Sequence, residues 1–546
     1  MTRTHIALAL ALTTACGGGV RQYALQEPLW VDDDRQPFTP RPAEGRYAPY
    51  FWDAIDHMVF RPASEAFTFE LDQEAINVNA FDEVPDSSWF HNRIGRRGMT
   101  PAELARGACG DDLGPPPGPW TVVGGKPDGA TPGFLIEAAD GTRYLLKTDR
   151  AQQPEQATAA DAIAAAVYHA AGYHVPCNRV VYFDPAILAL DPGAERSGSD
   201  RPLTQADVQS VVDGATEGPG GTRRAMLSRF IEGRPLGPWS YTGTWDQDPN
   251  DVVPHERRRE LRGIFVLTAG LDPWDARQHN TLASWIEAPG GGGHVRHYVI
   301  DFGECMGMVA SDHPRRGPRM GHSVWLDVGH VVEDALGLGL IQRAWDGRRP
   351  HPVLGYYGVA HFDPHGWTPQ YWNGALDRRT GHDVAWGARI LARFRDPHLR
   401  ALVALGRYSD PGVAERLVAI LRARRDLLLE AHLMRRSPLT EPVAHATSEG
   451  RARVCFTDLA LHAGVRVRRS YAARLSYAGR TQPLTPRRVE ERVCVELPAL
   501  DGEGGSGDYG VLEVSAATPG RDERRAVSLH LYVVGPDRIR LVGLER

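Results

Sequence analysis

Lysine is nearly absent from this chain. Of the 62 basic residues among its 546, only Lys126 and Lys147 are lysines, and the rest are arginines. An ammonium group is a compact point charge and a guanidinium group is a flat fork, so a retained lysine marks a place where the fork does not fit. Both lysines lie close together, beside a glycine-rich stretch. This part of the chain is therefore a candidate functional site.

Other absences exclude whole classes of protein. The net charge of −6 argues against a chain that coats nucleic acid. Beyond the N-terminus there is no run of about 18 apolar residues, so no spanning helix is predicted. The sequence has no P-loop, no GxSxG nucleophile elbow and no HExxH zinc motif. It also has no CxxC pair, which argues against a zinc ribbon.

The first residues are typical of an export signal. Arg3 precedes a short apolar run, and small residues precede Cys16. Residues 1–16 resemble a bacterial lipoprotein signal, which predicts lipidation of Cys16. We therefore expect a lipid-anchored protein of the cell envelope, on its periplasmic or outer-membrane face. The lipid anchor would be its only membrane contact, and plain secretion is the second choice.

Two later cysteines lie in similar strand-like segments. Cys455 stands in RVCF and Cys494 in RVCV. We predict a disulfide between them, and the alternative is two buried free thiols.

The pattern changes several times along the chain and predicts an α+β protein. Residues 17–118 indicate a loop-rich extension. Residues 119–232 combine strands, a hairpin signal at Asp140–Gly141 and a helix ending at Gly172. Residues 233–438 are helix-rich, and the arginines of the helix at 415–436 are expected to face solvent. Residues 445–546 alternate with period two, which predicts a β-sandwich-like domain.

The glycine-rich stretch and the second lysine suggest a phosphate site. Gly124, Gly125 and Gly129 lie between two predicted strands, where glycine lets the backbone approach phosphates closely. Lys147 ends the apolar strand YLLK and needs a counter-charge. The phosphates of a nucleotide would provide it, with Glu155 of the following helix to hold the lysine and Asp161 as a rival partner. The alternative is a lysine that is paired only with a carboxylate.

Two further motifs follow in the order that phosphoryl transfer requires. Asp275 precedes Asn280 by five residues, so the aspartate could accept a hydroxyl proton while the asparagine binds a metal ion. Asp272 competes with Asp275 for the first role. Asp301 then ends a predicted strand and begins Asp-Phe-Gly, where a carboxylate would meet the metal.

Together these motifs resemble the protein-kinase-like superfamily. The likeness is closest to its phosphatidylinositol-kinase-like, HipA-like and CotH-like branches, on the motifs DARQHN, IDFG, GGKPDGA and MLSRFIEGRPLG. The resemblance implies a two-lobed domain, with a β-rich N-lobe at 119–232 and a helical C-lobe at 233–438. The whole pattern also resembles uncharacterised bacterial lipoproteins.

The resemblance also implies roles for individual residues. Lys147 and Glu155 would bind the nucleotide phosphates, helped by Lys126, and Asp275 would be the catalytic base. Asn280 and Asp301 would hold Mg²⁺ or Mn²⁺. The backbone from Phe230 to Glu232 would hold the adenine of ATP or the base of another nucleotide.

Three functions remain open. The first is a kinase-like phosphotransferase acting on an unknown protein, lipid or small-molecule hydroxyl, with no nucleic-acid partner. The second is an inactive kinase-fold scaffold that binds a partner. In the third, the motif matches are coincidental, and Lys147 and Asp301 would then lie apart.

Overall fold

The computed structural model describes residues 22–39, 52, 55–67, 73–112, 114–126, 131–197, 199–273, 275–308, 319–343, 345–521 and 525–546. Within them the protein is a mixed α+β structure with several sheets and a C-terminal region of antiparallel strands. The predicted α+β class is confirmed at this level. Residues 1–16, with Cys16, and Gly129 lie outside the described residues.

Strands are distributed over four sheets. In chain order they are β1 Trp120–Gly125, β2 Gly133–Glu137, β3 Arg143–Lys147, β4 Asn178–Phe183, β5 Leu188–Leu190, β6 Arg223–Arg229, β7 Arg234–Gly237, β8 Thr281–Glu287, β9 Gly293–Val299, β10 Leu439–Ala446, β11 Ala452–Asp458, β12 Ser470–Tyr477, β13 Arg480–Leu484, β14 Arg487–Val489, β15 Arg492–Glu496, β16 Tyr509–Ala517, β17 Arg525–Gly535 and β18 Arg538–Glu545.

The α-helices lie mainly in the middle of the chain. In chain order they are α1 Arg61–Phe67, α2 Pro101–Arg106, α3 Gln156–Ala171, α4 Gln205–Gly214, α5 Arg259–Gly263, α6 Phe265–Leu271, α7 Val328–Leu336, α8 Gly374–Asp377, α9 Gly381–Leu391, α10 Asp396–Ala404, α11 Pro411–Leu428 and α12 Leu459–His462.

The first sheet is six-stranded, in the order β4-β6-β3-β2-β1-β5. Strands β2 and β3 form the predicted hairpin, and Gly141 supplies its left-handed turn with φ +82°. One face buries a core that contains Trp120, Phe134 and Leu227. This sheet fixes the position of Lys147, the last residue of β3, between neighbours in β2 and β6.

Helix α3 packs beside this sheet and is almost entirely buried. Its alanines explain this burial, because small side chains allow close approach on every face while favouring the helix. The helix ends where the sequence predicts. Gly172 (φ +134°) donates its amide to carbonyls of the last turn, and a Cβ there would overlap Phe90.

A three-stranded sheet, β7-β8-β9, and the helices α5, α6 and α8 to α11 form the next layer. Their shared core includes Trp285, Phe265 and Trp386. The expectation of solvated arginines on the 415–436 helix is wrong for Arg424 and Arg425, which are buried. Their guanidinium groups donate to backbone carbonyls of neighbouring elements, and these bonds offset the loss of water.

The C-terminal region begins at β10 and contains two antiparallel sheets, β10-β11-β15-β14 and β13-β12-β16-β17-β18. Buried residues alternate with less buried ones along β16, as period-two patterning predicts. Side chains from both sheets share one hydrophobic core, in which Phe456 and Val495 of one sheet join Leu512 and Leu529 of the other.

The N-terminal segments contact the rest of the chain at several points. Asp82 lies in a largely buried cluster of arginines, with its carboxylate close to Arg259, Arg389 and Arg546. Tyr23 packs against the last sheet and accepts a hydrogen bond from Tyr532 through its carbonyl. These contacts connect the extension both to the helical layer and to the C-terminal strands.

Candidate functional site

Lys147 is the centre of a buried group of charges. Its Nζ lies 3.0 Å from Asp161 Oδ2 and 2.6 Å from Asp301 Oδ1, and its side chain is 7% exposed. Burial by itself would lower the pKa of Lys147, but the two carboxylates outweigh it and raise that pKa. The lysine is therefore charged at neutral pH. Two of its three N–H groups are used, which leaves one for a ligand.

Asp161 holds this group together from α3. Besides Lys147, its carboxylate accepts hydrogen bonds from the backbone amide of Phe302 (2.9 Å) and from Asn178 Nδ2 (2.9 Å). Burial raises its pKa, while Lys147 opposes the rise. One carboxylate thus joins the strand β3, the helix α3 and the Asp-Phe-Gly segment.

Glu155, the expected partner of Lys147, lies elsewhere. It precedes α3 with a left-handed φ of +63°, and its carboxylate accepts the backbone amide of Ser409 at 3.0 Å. The prediction that Glu155 pairs with Lys147 is therefore wrong, and the rival Asp161 takes that place. The physical reason is the position of each residue relative to the helix. Glu155 lies before the first turn of the helix, while Asp161 lies within it and faces β3.

Asp301 follows β9 after one residue and has an unusual backbone conformation. Its φ is +56°, a left-handed value that a non-glycine residue adopts at a cost of roughly 1–3 kcal/mol. The carboxylate contacts Lys147 through Oδ1 and remains 35% exposed. Burial would raise its pKa, but Lys147 outweighs that effect and lowers it. Asp301 is consequently an ionised carboxylate with part of its surface accessible.

Asp275 lies near this group and forms a carboxyl pair with Glu304. The two side chains are close enough for their charges to interact, and Arg277 Nε lies 3.6 Å from Asp275 Oδ2. Burial, reinforced by the charge of Glu304, raises the pKa of Asp275 well above its ordinary value. Burial and the charge of Asp301 also raise the pKa of Glu304. The pair therefore retains a proton at a higher pH than a single carboxyl group would.

Asn280 is held beside Asp275 by two kinds of contact. Its side-chain Nδ2 donates to the Asp275 carbonyl at 3.0 Å. Its own carbonyl accepts the amide of Ile300, the residue before Asp301. The loop from 275 to 280 thus lies against the end of β9, and Asn280 and Asp301 come from adjacent segments.

The structure separates the two aspartates that competed for one role. Asp272 accepts a hydrogen bond from Trp367 Nε1 at 2.7 Å and lies 3.9 Å from Arg424. Asp275 instead forms the pair with Glu304. Glu304 was not singled out from the sequence, although its place directly after Asp-Phe-Gly was a usable signal.

The glycine-rich stretch has a packing role in its described part. Gly125 donates its amide to the carbonyl of Glu195, and a Cβ on it would lie 2.7 Å from the backbone nitrogen of Ser197. A Cβ on Gly124 would meet nothing closer than 3.8 Å. Thus glycine is needed at position 125 for the close packing against residues 195–197, and a role of this stretch in binding phosphate stays a prediction.

Lys126 follows this stretch and belongs to the same electrostatic environment. Its Nζ donates to the Thr131 carbonyl at 3.1 Å. Burial, and then the charge of Lys147, lower the pKa of Lys126 to about 8. Asp301 acts in the opposite direction. Lys126 therefore titrates close to neutral pH and would gain charge beside an anion.

Residues 230–232, which were expected to hold the adenine or other nucleobase, already form hydrogen bonds within the protein. The amide of Phe230 donates to the carbonyl of Arg143 at 3.1 Å, and the carbonyl of Glu232 accepts from Ser284 Oγ. The Glu232 carboxylate pairs with Arg296 at 2.7 Å. Phe230 itself is 46% exposed. These bonds do not use the carbonyl of Phe230, the backbone of Ile231 or the amide of Glu232.

The residues present fit a divalent cation that arrives with a nucleotide. Within the described ranges, no group of three or more His, Cys, Asp and Glu side chains is arranged to hold a metal ion alone. Mg²⁺ is commonly held by one or two carboxylates together with phosphate oxygens and water. Asp301 offers an ionised carboxylate. Asn280 offers its amide oxygen, because its nitrogen is used by Asp275.

Disulfides give information about the compartment. The predicted bridge between Cys455 and Cys494 is confirmed, joining directly opposed residues of β11 and β15. A second bridge, Cys109–Cys177, connects the N-terminal extension to the residue before β4 and was not predicted. Two disulfides indicate an oxidising, extracytoplasmic environment. No helix in the described part of the chain has the length and apolar character needed to cross a membrane.

Comparison with known proteins gives no relative. No protein-family model matches the chain, and neither a curated protein nor a solved structure does so. What can be said of its function therefore depends on its own residues.

Proposed function

We propose that this protein is an envelope-anchored phosphotransferase of the protein-kinase-like type, which moves the γ-phosphate of ATP or another nucleotide to a hydroxyl acceptor. The observation that carries the proposal is the contact of Lys147 with both Asp161 and Asp301. Protein kinases place a lysine on the third strand, an acidic partner on the next helix and a metal-binding aspartate in Asp-Phe-Gly. Coincidental motifs would give no reason for these three side chains to meet.

The order of elements gives further support. Strands β1 to β4 and β6, with α3 between β3 and β4, correspond to the proposed N-lobe at 119–232. The loop 272–280, the hairpin β8–β9 and Asp301 follow in the proposed C-lobe at 233–438. In this arrangement a nucleotide would lie between the two, with its phosphates at Lys147.

The proposed reaction transfers one phosphoryl group from the nucleotide to the acceptor. The acceptor hydroxyl oxygen bonds to the γ-phosphorus, the bond from that phosphorus to the bridging oxygen breaks, and the nucleoside diphosphate leaves. The hydroxyl proton passes to the ionised carboxylate of the Asp275–Glu304 pair, because a raised pKa makes a carboxylate a stronger base. Lys147 binds the phosphates with its remaining N–H group. Mg²⁺ or Mn²⁺, when bound, neutralises charge on the phosphate oxygens.

We further propose that Cys16 carries the lipid anchor. The two disulfides favour an extracytoplasmic location. ATP is scarce outside the inner membrane, so the nucleotide donor is left open between ATP and other nucleotides.

A second candidate function is a kinase-fold scaffold that binds a partner without catalysis. Two observations favour it. The backbone at Gly125 is packed against residues 195–197, and the amide of Phe230 is already hydrogen-bonded. Both features occupy positions where a nucleotide was expected.

Transfer of labelled phosphate distinguishes the two candidates. Protein beginning at residue 17 is incubated with γ-labelled ATP and Mg²⁺ or Mn²⁺, beside the variants Asp301→Ala and Glu155→Gln. An active site predicts label on the protein or released as phosphate, lost in Asp301→Ala and retained in Glu155→Gln. If wild-type protein binds ATP but transfers no label under either metal, the scaffold is the better account.

A further inference from the structure

A cavity of about 550 Å³, with several charged side chains in its lining, lies at Asp272, three residues before Asp275. Its walls come from Asp272, residues 320–322, residues 348–363, Trp367 and one face of α11. Its size falls within the range of roughly 300–1,000 Å³ that is typical of small-molecule sites. None of the residues assigned above to nucleotide or metal binding lines it.

Positive charge dominates the lining. Four arginines face two aspartates; the arginines are Arg348, Arg349, Arg416 and Arg424, and the aspartates are Asp272 and Asp363. Arg349 and Arg416 are exposed, and neither has a carboxylate partner among the described residues. Two unpaired guanidinium groups at one cavity favour a ligand with negative charge. Arginine forks bind carboxylate and phosphate groups with two parallel hydrogen bonds.

The inner wall is held in place by buried contacts. Arg424 donates to the carbonyls of Gly358 (3.0 Å) and Ala269 (2.7 Å), lies over the ring of Phe362, and keeps a buried Nε without a hydrogen-bond partner among the described residues. Its side chain is only 4% exposed. An ordered, desolvated guanidinium group is a stronger site for an anion than a solvated one.

A neutral donor completes the lining. His351 accepts the amides of Val353 and Leu354 at its Nδ1, both at 3.1 Å. Nδ1 therefore carries no proton, and in the neutral ring Nε2 is the N–H donor. Tyr356 also lines the cavity. Such polar groups suit a ligand that has hydroxyl groups as well as charge.

The cavity is connected to the candidate active site through Asp272. This residue has a left-handed φ of +55° and is fixed by Trp367 on the cavity side, three residues before Asp275. Its left-handed conformation ends α6, where Asp272 is the C-cap and donates its amide to the Thr268 carbonyl. An acceptor held in the cavity would thus approach the loop that bears the carboxyl pair.

We propose that this cavity binds a small hydroxylated molecule bearing an oxyanion, either a phosphate or a carboxylate, as the acceptor of the transfer. Its role as acceptor rests on the proposed function, whereas the binding itself does not. Arg349 and Arg416 recognise the charged group, and the neutral donors of the lining face its hydroxyl groups.

Isothermal titration tests the binding with three probes that share one sugar ring: glucose 6-phosphate, glucuronate and uncharged glucose. The double variant Arg349→Gln/Arg416→Gln is compared with Arg480→Gln, an exposed arginine of β13 as the matched control. We expect one or both charged sugars to bind and glucose not to bind. The double variant should bind the charged sugar at least about tenfold more weakly than the wild type, and the control should bind it with unchanged affinity.

The outcomes separate this inference from the proposed function. The tighter of the two charged probes identifies phosphate or carboxylate as the recognised group. The inference is overturned if neither charged sugar binds, if glucose binds as well, or if the double variant binds like wild type. Asp301→Ala should keep the binding. If the charged sugar binds but the protein neither transfers label from ATP nor releases it as phosphate, the binding site stands and the proposed function fails.

Discussion

Replacement of Asp161 should destabilise the protein far more than replacement of Glu155. Asp161→Ala removes the acceptor of three buried donors: Lys147 Nζ, the amide of Phe302 and Asn178 Nδ2. Each buried donor left unsatisfied costs about 1–3 kcal/mol. Because Lys147 keeps Asp301, we expect a total loss of about 3–5 kcal/mol, the range for a broken buried ion pair.

Two further variants sharpen this comparison. Asp161→Asn keeps an oxygen for one neighbouring amide but loses the charge, so about 1.5–3 kcal/mol should be lost. Glu155→Gln keeps an acceptor for the Ser409 amide and should cost less than about 1 kcal/mol.

The losses are measured as shifts in the denaturant midpoint, followed by tryptophan fluorescence. Hydrogen exchange across 156–171 then localises them. Equal losses for Asp161→Ala and Glu155→Gln, or unchanged exchange in α3, would refute the assignment of Asp161 as the partner that holds Lys147.

Three other properties can be predicted. Anion binding would raise the pKa of Lys126 from about 8, so the affinity for nucleotide should fall as the pH rises through 8. Calorimetric titration in buffers of different ionisation enthalpy should show proton uptake on binding, and Lys126→Met should remove that uptake. Burial raises the pKa of Asp82, but Arg259 and its neighbours outweigh this and lower it to about 2. The lowered pKa means that ionised Asp82 contributes about 2 kcal/mol to the stability of the fold above pH 4, and this contribution is lost as the pH falls towards 2. Acid unfolding of Asp82→Asn should not show that loss. The Cys109–Cys177 bridge closes 68 residues, so Cys109→Ser/Cys177→Ser should cost about 4 kcal/mol by thermal unfolding; an unchanged melting temperature would contradict this.

Local patterns were enough to predict several elements of the fold. The hairpin at Gly141, the end of α3 at Gly172 and the alternation along β16 each follow from a few adjacent residues. The bridge between Cys455 and Cys494 also followed from two similar strand segments. In these cases the physical cause is local, because a turn, a cap or a strand period is determined by neighbours in sequence.

Features that depend on distant contacts were harder to predict. Asp161 and Glu155 are both acidic and close in sequence, and only the packing of α3 against β3 decides which one reaches Lys147. The pair of Asp275 and Glu304 joins segments 29 positions apart by their numbering. Arg424 was expected in solvent because its sequence neighbours are polar, but carbonyls from two other segments bury it.

The central claim is that Lys147, Asp161 and Asp301 form a site for the phosphates of a nucleotide. Equilibrium binding of ATP with Mg²⁺ to the full chain tests it most directly. The account predicts binding that Lys147→Met and Asp301→Ala each weaken at least about tenfold, while Glu155→Gln leaves it unchanged. Absence of ATP binding by the wild-type protein, or equal affinity in all three variants, would contradict it.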